Sequence, residues 1–174
     1  MKIFRIQLLV LLSAALFFNC GGKEEKKKDG FTYEKSSTQK EAETKTADDN
    51  VANIVLTAND MMQYNTKEIK VKAGQKVRLT LKHIGKLDVN VMGHNFVLLK
   101  QGVDLVAFAT KASTQKDNKY IPKEAEGNII AHTDMIGGGQ TATIEFDAPE
   151  AGTYEYLCSF PAHYAMMRGK FIVE

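Results

Sequence analysis

The sequence is poor in cysteine and proline, has no tryptophan and carries almost balanced charge. Its 174 residues include two cysteines and three prolines, with 23 basic and 21 acidic residues. Without Lys2 and Arg5, at the N-terminus, 21 basic residues stand against 21 acidic ones. A neutral chain offers no electrostatic reason to bind nucleic acid, and we expect no such partner. A hydrophobic content of 44% is enough for one domain of ordinary size plus extra segments.

The N-terminus also lacks an apolar run long enough to cross a bilayer. Lys2 and Arg5 precede an apolar run at residues 6–18. A membrane-spanning helix needs about 20 apolar residues, whereas a positive start followed by a shorter run is typical of a secretion signal. We therefore predict a signal peptide at residues 1–19, with a retained membrane helix as the alternative.

Cys20 follows this run and precedes two glycines, which resembles the lipid-attachment cysteine of bacterial lipoproteins. Two positions depart from the usual pattern, because Phe17 replaces a common leucine and Asn19 replaces a small residue. Lipid on Cys20 would hold the mature chain on a membrane, since two or more acyl chains anchor stably. We expect an exported lipoprotein on the periplasmic or cell-surface side.

Residues 20–50 have the composition of a disordered linker. After Cys20 they are nearly all polar or charged, with Phe31 and Tyr33 as the only aromatic residues. So little apolar surface cannot offset the entropy lost on ordering. A flexible coil of this length would average roughly 30 Å from end to end. It would serve either as a tether that lets an anchored domain reach its partners or as a passive spacer.

Beyond residue 50 the chain changes to short runs in which apolar and polar residues alternate. Val77, Leu79 and Leu81 follow this rule, and so do Ile69 and Val71. A period of two is the pattern of half-buried strands. The remaining sequence predicts further strands at 90–99, 128–133, 140–147, 152–158 and 169–174.

So many short strands favour an all-β fold, a Greek-key β-sandwich of two sheets. Residues 101–127 interrupt the rhythm. Within this segment residues 103–109 are compatible with a short helix, whereas residues 113–127 are polar and include Pro122. We therefore predict a sandwich with a short helical insertion.

Three side chains that bind metals stand close together near the C-terminus. Cys158, His163 and Met167 lie between two predicted strands, so they share one loop. A thiolate, an imidazole and a thioether are soft ligands that suit copper. A trigonal site of two histidines and one cysteine, with a long axial methionine, needs one more histidine. His94, on the strand predicted at 90–99, is the candidate.

The order and spacing of these residues resemble the azurin group of blue copper proteins, which are cupredoxins. Cys158 precedes His163 by five residues and His163 precedes Met167 by four, as in azurins. The likeness covers roughly residues 52–174, and we predict that residues 51–174 are an azurin-like cupredoxin domain. It extends to Asn59-Asp60-x-Met62-Gln63-Tyr64-Asn65, Asn90-Val91-Met92-Gly93-His94-Asn95 and Ala131-His132-Thr133-x-x-Ile136-Gly137.

The resemblance implies one type 1 copper ion that cycles between Cu(I) and Cu(II). The implied metal ligands are His94, Cys158 and His163, with Met167 as a weak axial ligand and the Gly93 carbonyl as a weak axial oxygen. The implied neighbours that orient these ligands are Asn95 and the backbone N–H of Phe160. Because the protein would fill the coordination sphere, we predict single-electron transfer and no enzymatic activity.

In azurins the histidine that matches His163 reaches the surface through an apolar patch that docks redox proteins. We expect a monomer that meets cytochromes or copper enzymes through transient contacts, as small apolar surfaces allow. For the methionines of the matching set, packing in the core is the alternative. The matching residues are Met62, Leu87, Met92, Phe160, Pro161, Ala162, Ala165 and Met166.

Several positions depart from azurins or leave a choice open. Phe96 replaces a common tryptophan, which alters packing and spectroscopy but no ligand. The azurin disulfide has no counterpart, and a bond between Cys20 and Cys158 would compete with a metal for the thiolate. His83 and His132 match azurin histidines near the site, and we expect them to be structural or surface residues.

Two other functions stay open on the sequence alone. A copper carrier or scavenger would deliver metal rather than electrons, although carriers tend to use exposed or open sites. A surface lipoprotein could bind other proteins, with its metal site empty or filled by zinc. The sequence disfavours copper enzymes, because a dinuclear centre would need a second cysteine in the loop and multicopper oxidases need several domains.

Overall fold

Residues 50–174 are described by a computed structural model and form nine strands and two short α-helices. The strands make one sheet of four and one of five. The predicted signal peptide, Cys20 and the predicted linker up to residue 49 lie outside the described residues. Within residues 50–174, no helix is long and apolar enough to span a membrane.

The two sheets are assembled from strands that are distant in sequence. In chain order the strands are β1 (Val51–Asn59), β2 (Gln63–Tyr64), β3 (Glu68–Val71), β4 (Lys76–His83), β5 (Val97–Leu99), β6 (Ile129–His132), β7 (Thr141–Asp147), β8 (Gly152–Leu157) and β9 (Arg168–Val173). The first sheet has the order β2-β1-β4-β7, and the second has the order β3-β9-β8-β5-β6. The pairing of β1 with β4 is parallel, whereas β4 with β7 and β8 with β9 are antiparallel.

The core lies between the two sheets. Val77, Leu79 and Leu81 of β4 are fully buried, whereas Arg78 between them is exposed and Thr80 is half-buried. Each such side chain stabilises the fold by roughly 2 kcal/mol through burial. The same core contains Phe171 of β9 and Cys158. The predicted all-β Greek-key sandwich is confirmed.

The helical insertion covers the outer face of the second sheet. Helix α2 (Leu105–Ala112) begins at Asp104, whose carboxylate accepts hydrogen bonds from the N–H groups of residues 106 and 107. Its buried residues lie three or four positions apart and pack against Val97 and Leu99 of β5. Two 3₁₀ turns, Lys116–Asn118 and Lys123–Asn128, complete the segment. The helix therefore begins two residues later than predicted.

The prediction of one continuous strand at 90–99 is wrong. Residues 89–92 form the short helix α1 (Val89–Met92), and only Val97–Leu99 is a strand. Asp88 starts the helical turn because its side chain accepts a hydrogen bond from the N–H of Asn90. His94 lies between the two elements, in an isolated bridge with Ile136. The pattern of apolar residues in this segment gave no sign that Asp88 caps a helical turn.

Candidate metal centre

The loop after β8 brings three of the predicted ligands together. Cys158 directly follows the strand, His163 opens a 3₁₀ turn (His163–Ala165), and Met167 directly precedes β9. The loop closes on itself, because the N–H of Cys158 donates to the carbonyl of Met167 at 2.9 Å and the N–H of Met167 donates to that of His163 at 2.8 Å. These bonds fix the backbone positions from which the three ligand side chains extend.

His94 comes from a separate part of the chain. Its N–H donates to the carbonyl of Ile136 at 2.9 Å, and the N–H of Ile136 donates back to the carbonyl of His94 at 2.8 Å. Gly93 makes the close approach possible. A β-carbon at Gly93 would lie 2.5 Å from the carbonyl oxygen of Val89 and 2.9 Å from Cδ2 of Phe160.

The donor atoms of His94, Cys158 and His163 converge. The Cys158 sulfur lies 3.9 Å from Nδ1 of His94 and 3.7 Å from Nδ1 of His163. All three donor atoms lie within 4.8 Å of one another, and all three residues are buried. First-row metals bind thiolate at about 2.3 Å and imidazole at about 2.0 Å, which in a trigonal plane sets sulfur and nitrogen about 3.7 Å apart. The three residues therefore fit a copper ion.

Two further donors predicted for the axial positions lie next to this group. The Gly93 carbonyl oxygen is 3.8 Å from the Cys158 sulfur. The Met167 side chain is fully buried in the same core as Cys158. Both residues thus neighbour the donor cluster, and their role as axial ligands stays a prediction.

A hydrogen bond orients the His94 ring for metal binding. Nε2 of His94 lies 2.9 Å from the carbonyl oxygen of Asn59. A carbonyl only accepts, so Nε2 carries the proton and the lone pair of Nδ1 faces Cys158. Burial is the main cause that lowers the pKa of His94, and likewise of His163, to about 4. Both imidazoles are therefore neutral donors at neutral pH.

Burial and hydrogen bonding have opposite effects on the pKa of the Cys158 thiol. Burial raises its pKa to about 11, and hydrogen bonds from the backbone at Asn95 and Phe160 and from the Tyr64 side chain act in the opposite direction. Without metal the thiol keeps its proton at neutral pH, and a bound metal displaces it. These are the backbone groups that the resemblance placed at the sulfur, and their role in orienting the ligand stays a prediction.

Asn95 joins the two ligand-bearing segments. Its side-chain oxygen accepts a hydrogen bond from the N–H of Ser159 at 2.9 Å, and its Nδ2 donates to the Ser159 hydroxyl at 2.8 Å. Both residues are buried. This pair holds the residue after His94 against the residue after Cys158.

The other two histidines are not members of the donor cluster. The His83 ring is buried and stacks on the His94 ring, with centroids 4.4 Å apart. Its Nδ1 accepts from the N–H of Gly85 at 3.0 Å and its Nε2 lies 2.9 Å from the carbonyl of Met92. Both ring nitrogens are therefore in use. His132 is exposed.

The predicted docking patch is only partly exposed. Leu87 is 41% and Met166 49% exposed. Ala162 and Ala165 are also exposed, whereas the other four predicted members, Met62, Met92, Phe160 and Pro161, are half-buried. Sequence reasoning missed three exposed apolar residues. Met61 and Val91 directly precede the patch members Met62 and Met92, and Ile84 lies three residues before Leu87.

Two residues that shape the site belong to a motif of the sequence analysis that gave them no role. Asn59 supplies the carbonyl that orients His94, and the Tyr64 hydroxyl donates a hydrogen bond to the carbonyl of Asn95. Both stand in the segment at residues 59–65 that matches azurins. That match was the only sequence signal for these two residues. It could not reveal their contacts with the backbone and with His94, which depend on tertiary structure.

Comparison with known proteins gives several azurins. Azurin-1 of Alcaligenes xylosoxydans xylosoxydans is 43% identical over 118 residues, which are 66% of this chain and 91% of that protein. The azurin of Pseudomonas fluorescens biotype C is 40% identical over 120 residues, which are 67% of this chain and 93% of that protein.

Solved structures of similar fold include two auracyanins. The auracyanin of Roseiflexus castenholzii is 35% identical with a TM-score of 0.63, over 71% of this chain and 97% of that chain. Auracyanin A of Chloroflexus aurantiacus, described as a "blue" copper protein, is 31% identical with a TM-score of 0.64, over 71% of this chain and 99% of that chain. The predicted cupredoxin fold is confirmed.

The family model of copper-binding proteins of the plastocyanin/azurin family matches residues 50–174. Together with the donor cluster of His94, Cys158 and His163, this match confirms the predicted cofactor, one type 1 copper. The resemblance to azurins is confirmed as well. The chain belongs to the plastocyanin/azurin family of copper-binding proteins.

Proposed function

We propose that this protein carries single electrons through one copper ion held by His94, Cys158 and His163. Met167 would be the weak axial ligand and the Gly93 carbonyl the weak axial oxygen. The observation that carries this proposal is the convergence of one sulfur and two imidazole nitrogens within 4.8 Å in a buried position. Bound copper in such a site alternates between Cu(I) and Cu(II) and thereby accepts and releases one electron.

The residues around the donor atoms would hold those atoms in the same positions in both oxidation states of the copper. Asn59 holds the ring of His94, and Asn95 joins the two ligand segments through Ser159. The closed loop from Cys158 to Met167 holds the remaining donors. A site that changes little on electron transfer avoids the cost of rearrangement, and contacts to the ligands set their orientation.

We propose no enzymatic activity. Three buried protein donors, with Met167 and Gly93 on their borders, leave no open position at which a substrate would bind. The same burial argues against a copper carrier, because carriers exchange metal through exposed or open sites. A prompt loss of copper to a chelator at neutral pH would support the carrier.

Electrons would enter and leave through the apolar surface near His163. Met166 is half exposed and its N–H donates to the carbonyl of His163 at 3.0 Å, so the two residues are adjacent. Leu87 and the exposed Ala162 and Ala165 extend this surface. Small apolar contacts suit brief encounters with cytochromes or copper enzymes. We infer a monomer that is exported and tethered to a membrane by lipid on Cys20.

The two cysteines permit a matched experiment on the full-length chain. Cys158→Ser should abolish the intense sulfur-to-copper absorption band and the type 1 electron paramagnetic resonance signal after Cu(II) addition. Cys20→Ser should keep both signals and move the protein from the membrane fraction to the soluble fraction.

Each half of the experiment has its own refuting result. Wild-type protein that stays colourless after Cu(II) addition, or that binds zinc alone, would overturn the electron-transfer proposal and favour the protein-binding lipoprotein. Wild-type protein that is as soluble as Cys20→Ser would overturn the membrane tether and leave the copper site untouched.

A further inference from the structure

Tyr64 packs a phenol against the core that contains Cys158. It lies in β2, where it pairs with Ala58 of β1, and its ring packs against Tyr156 with centroids 5.7 Å apart. Its hydroxyl donates a hydrogen bond to the backbone carbonyl of Asn95. The chain offers this polar group to the donor cluster from a strand that carries no ligand.

The Tyr64 hydroxyl is connected to the Cys158 sulfur through the Asn95 backbone. It holds the carbonyl of Asn95, the residue whose backbone also hydrogen-bonds the sulfur. The hydroxyl itself counts among the groups that lower the pKa of Cys158 against burial, the largest cause, which raises it. A phenol has one hydrogen, and here it is donated to the Asn95 carbonyl, so the donor that Tyr64 positions at the sulfur is the Asn95 backbone N–H.

The phenol keeps its hydrogen under all ordinary conditions. Burial, and after it the neighbouring Cys158, raise the pKa of Tyr64 well above its usual range. A neutral phenol is a permanent hydrogen-bond donor. A thiolate is a stronger acceptor than a thiol because charged acceptors strengthen hydrogen bonds.

We propose that Tyr64 is a positioning residue that sets the reduction potential of the copper centre. It does so by holding the Asn95 backbone, through the carbonyl of that residue, beside Cys158. This inference rests on the proposed function, since it concerns the copper-bound state.

The direction of the effect follows from charge. A donor at the thiolate withdraws electron density from the sulfur and weakens its donation to the metal. Hydrogen bonding around the cysteine sulfur is one of the means by which blue-copper potentials are tuned. The oxidised state needs that donation more than the reduced state does. Tyr64 therefore raises the potential, and its loss should lower it.

Two tyrosines in one core supply a matched pair of variants. Tyr64→Phe removes the hydroxyl at the metal centre. Tyr156→Phe removes a hydroxyl that donates to the carbonyl of Thr66 at 2.8 Å, away from the copper ligands. We expect Tyr64→Phe to shift the reduction potential downward and the sulfur-to-copper band to lower energy. We expect Tyr156→Phe to leave both unchanged, while both metal-free variants unfold at lower urea concentration than the wild type.

An unchanged potential and band in copper-loaded Tyr64→Phe would overturn the inference, and so would an equal shift in Tyr156→Phe. Should Tyr64→Phe fail to fold, replacement of Tyr64 by 3-fluorotyrosine keeps the shape and strengthens the donor. That change should raise the potential, and a lower or equal value would refute the role. Failure of the wild type to form the blue band would instead refute the proposed function, so the two failures are distinguishable.

Discussion

Asn95→Ala tests the buried hydrogen bonds that hold the two ligand segments together. The Asn95 side chain makes two bonds to Ser159, at 2.9 and 2.8 Å, and both residues are buried. The substitution removes both bonds and leaves the N–H of Ser159 without a partner. It leaves every proposed copper ligand in place.

The expected loss of stability can be worked out from these contacts. The bond to the Ser159 hydroxyl contributes about 1 kcal/mol, and leaving the buried N–H of Ser159 without a partner costs about 1–3 kcal/mol. The free energy of unfolding of the metal-free protein should therefore fall by about 3 kcal/mol. With a urea dependence of about 2 kcal/mol per molar, the unfolding midpoint should fall by about 1.5 M.

Asn65→Ala is the matched control. The Asn65 side chain accepts one hydrogen bond, from the N–H of Thr57 at 2.8 Å, and this bond is exposed. Water replaces the lost partner there, so the cost should be about 1 kcal/mol or less. Both variants would be measured by urea unfolding of metal-free protein followed by circular dichroism. Equal losses in Asn95→Ala and Asn65→Ala would refute the view that the buried pair stabilises the metal-free site.

Three further changes test separate features of the fold and surface. Gly93→Ala should lower the free energy of unfolding, measured in urea, by about 2 kcal/mol or more, because its β-carbon would press on Val89. In the control Gly127→Ala the β-carbon meets open space, so the free energy of unfolding should change by less than about 0.5 kcal/mol. Similar values for the two variants would contradict this reasoning. Ala162 has a φ of 66°, so Ala162→Gly should stabilise the metal-free protein by about 1 kcal/mol, and a lower unfolding midpoint would show that no strain is relieved. Met166→Glu should slow electron self-exchange measured by nuclear magnetic resonance while leaving the blue band intact, because it places charge on the proposed docking surface; an unchanged rate would remove Met166 from that surface.

The strands and the helical insertion were largely predictable because their signals are local. The alternation of Val77, Leu79 and Leu81 with polar residues follows from one buried face, which any β-sandwich would require. The segment at 90–99 failed for a physical reason. Val97, Leu98 and Leu99 are buried on both faces, so they carry no alternation, and the preceding turn depends on a cap by Asp88.

The exposed surface near the site was the part least accessible to sequence reasoning. A strand at 90–99 gave no reason to expect Val91 at the surface, yet the helical turn leaves it 60% exposed. Met62 and Met92, expected on the patch, are half-buried instead. Exposure depends on what packs above a residue, and residue type alone does not reveal it.

The sequence by itself determined the chemistry that is possible at one loop. Cys158, His163 and Met167 are close in the chain, so a single turn between two strands is enough to bring a thiolate, an imidazole and a thioether together. Tertiary structure alone decided that His94, 64 residues from Cys158, meets the sulfur. It also decided which nitrogen of His94 faces inward, through the carbonyl of Asn59. Contacts between segments so far apart in the chain arise only when two sheets pack, because no local spacing encodes them.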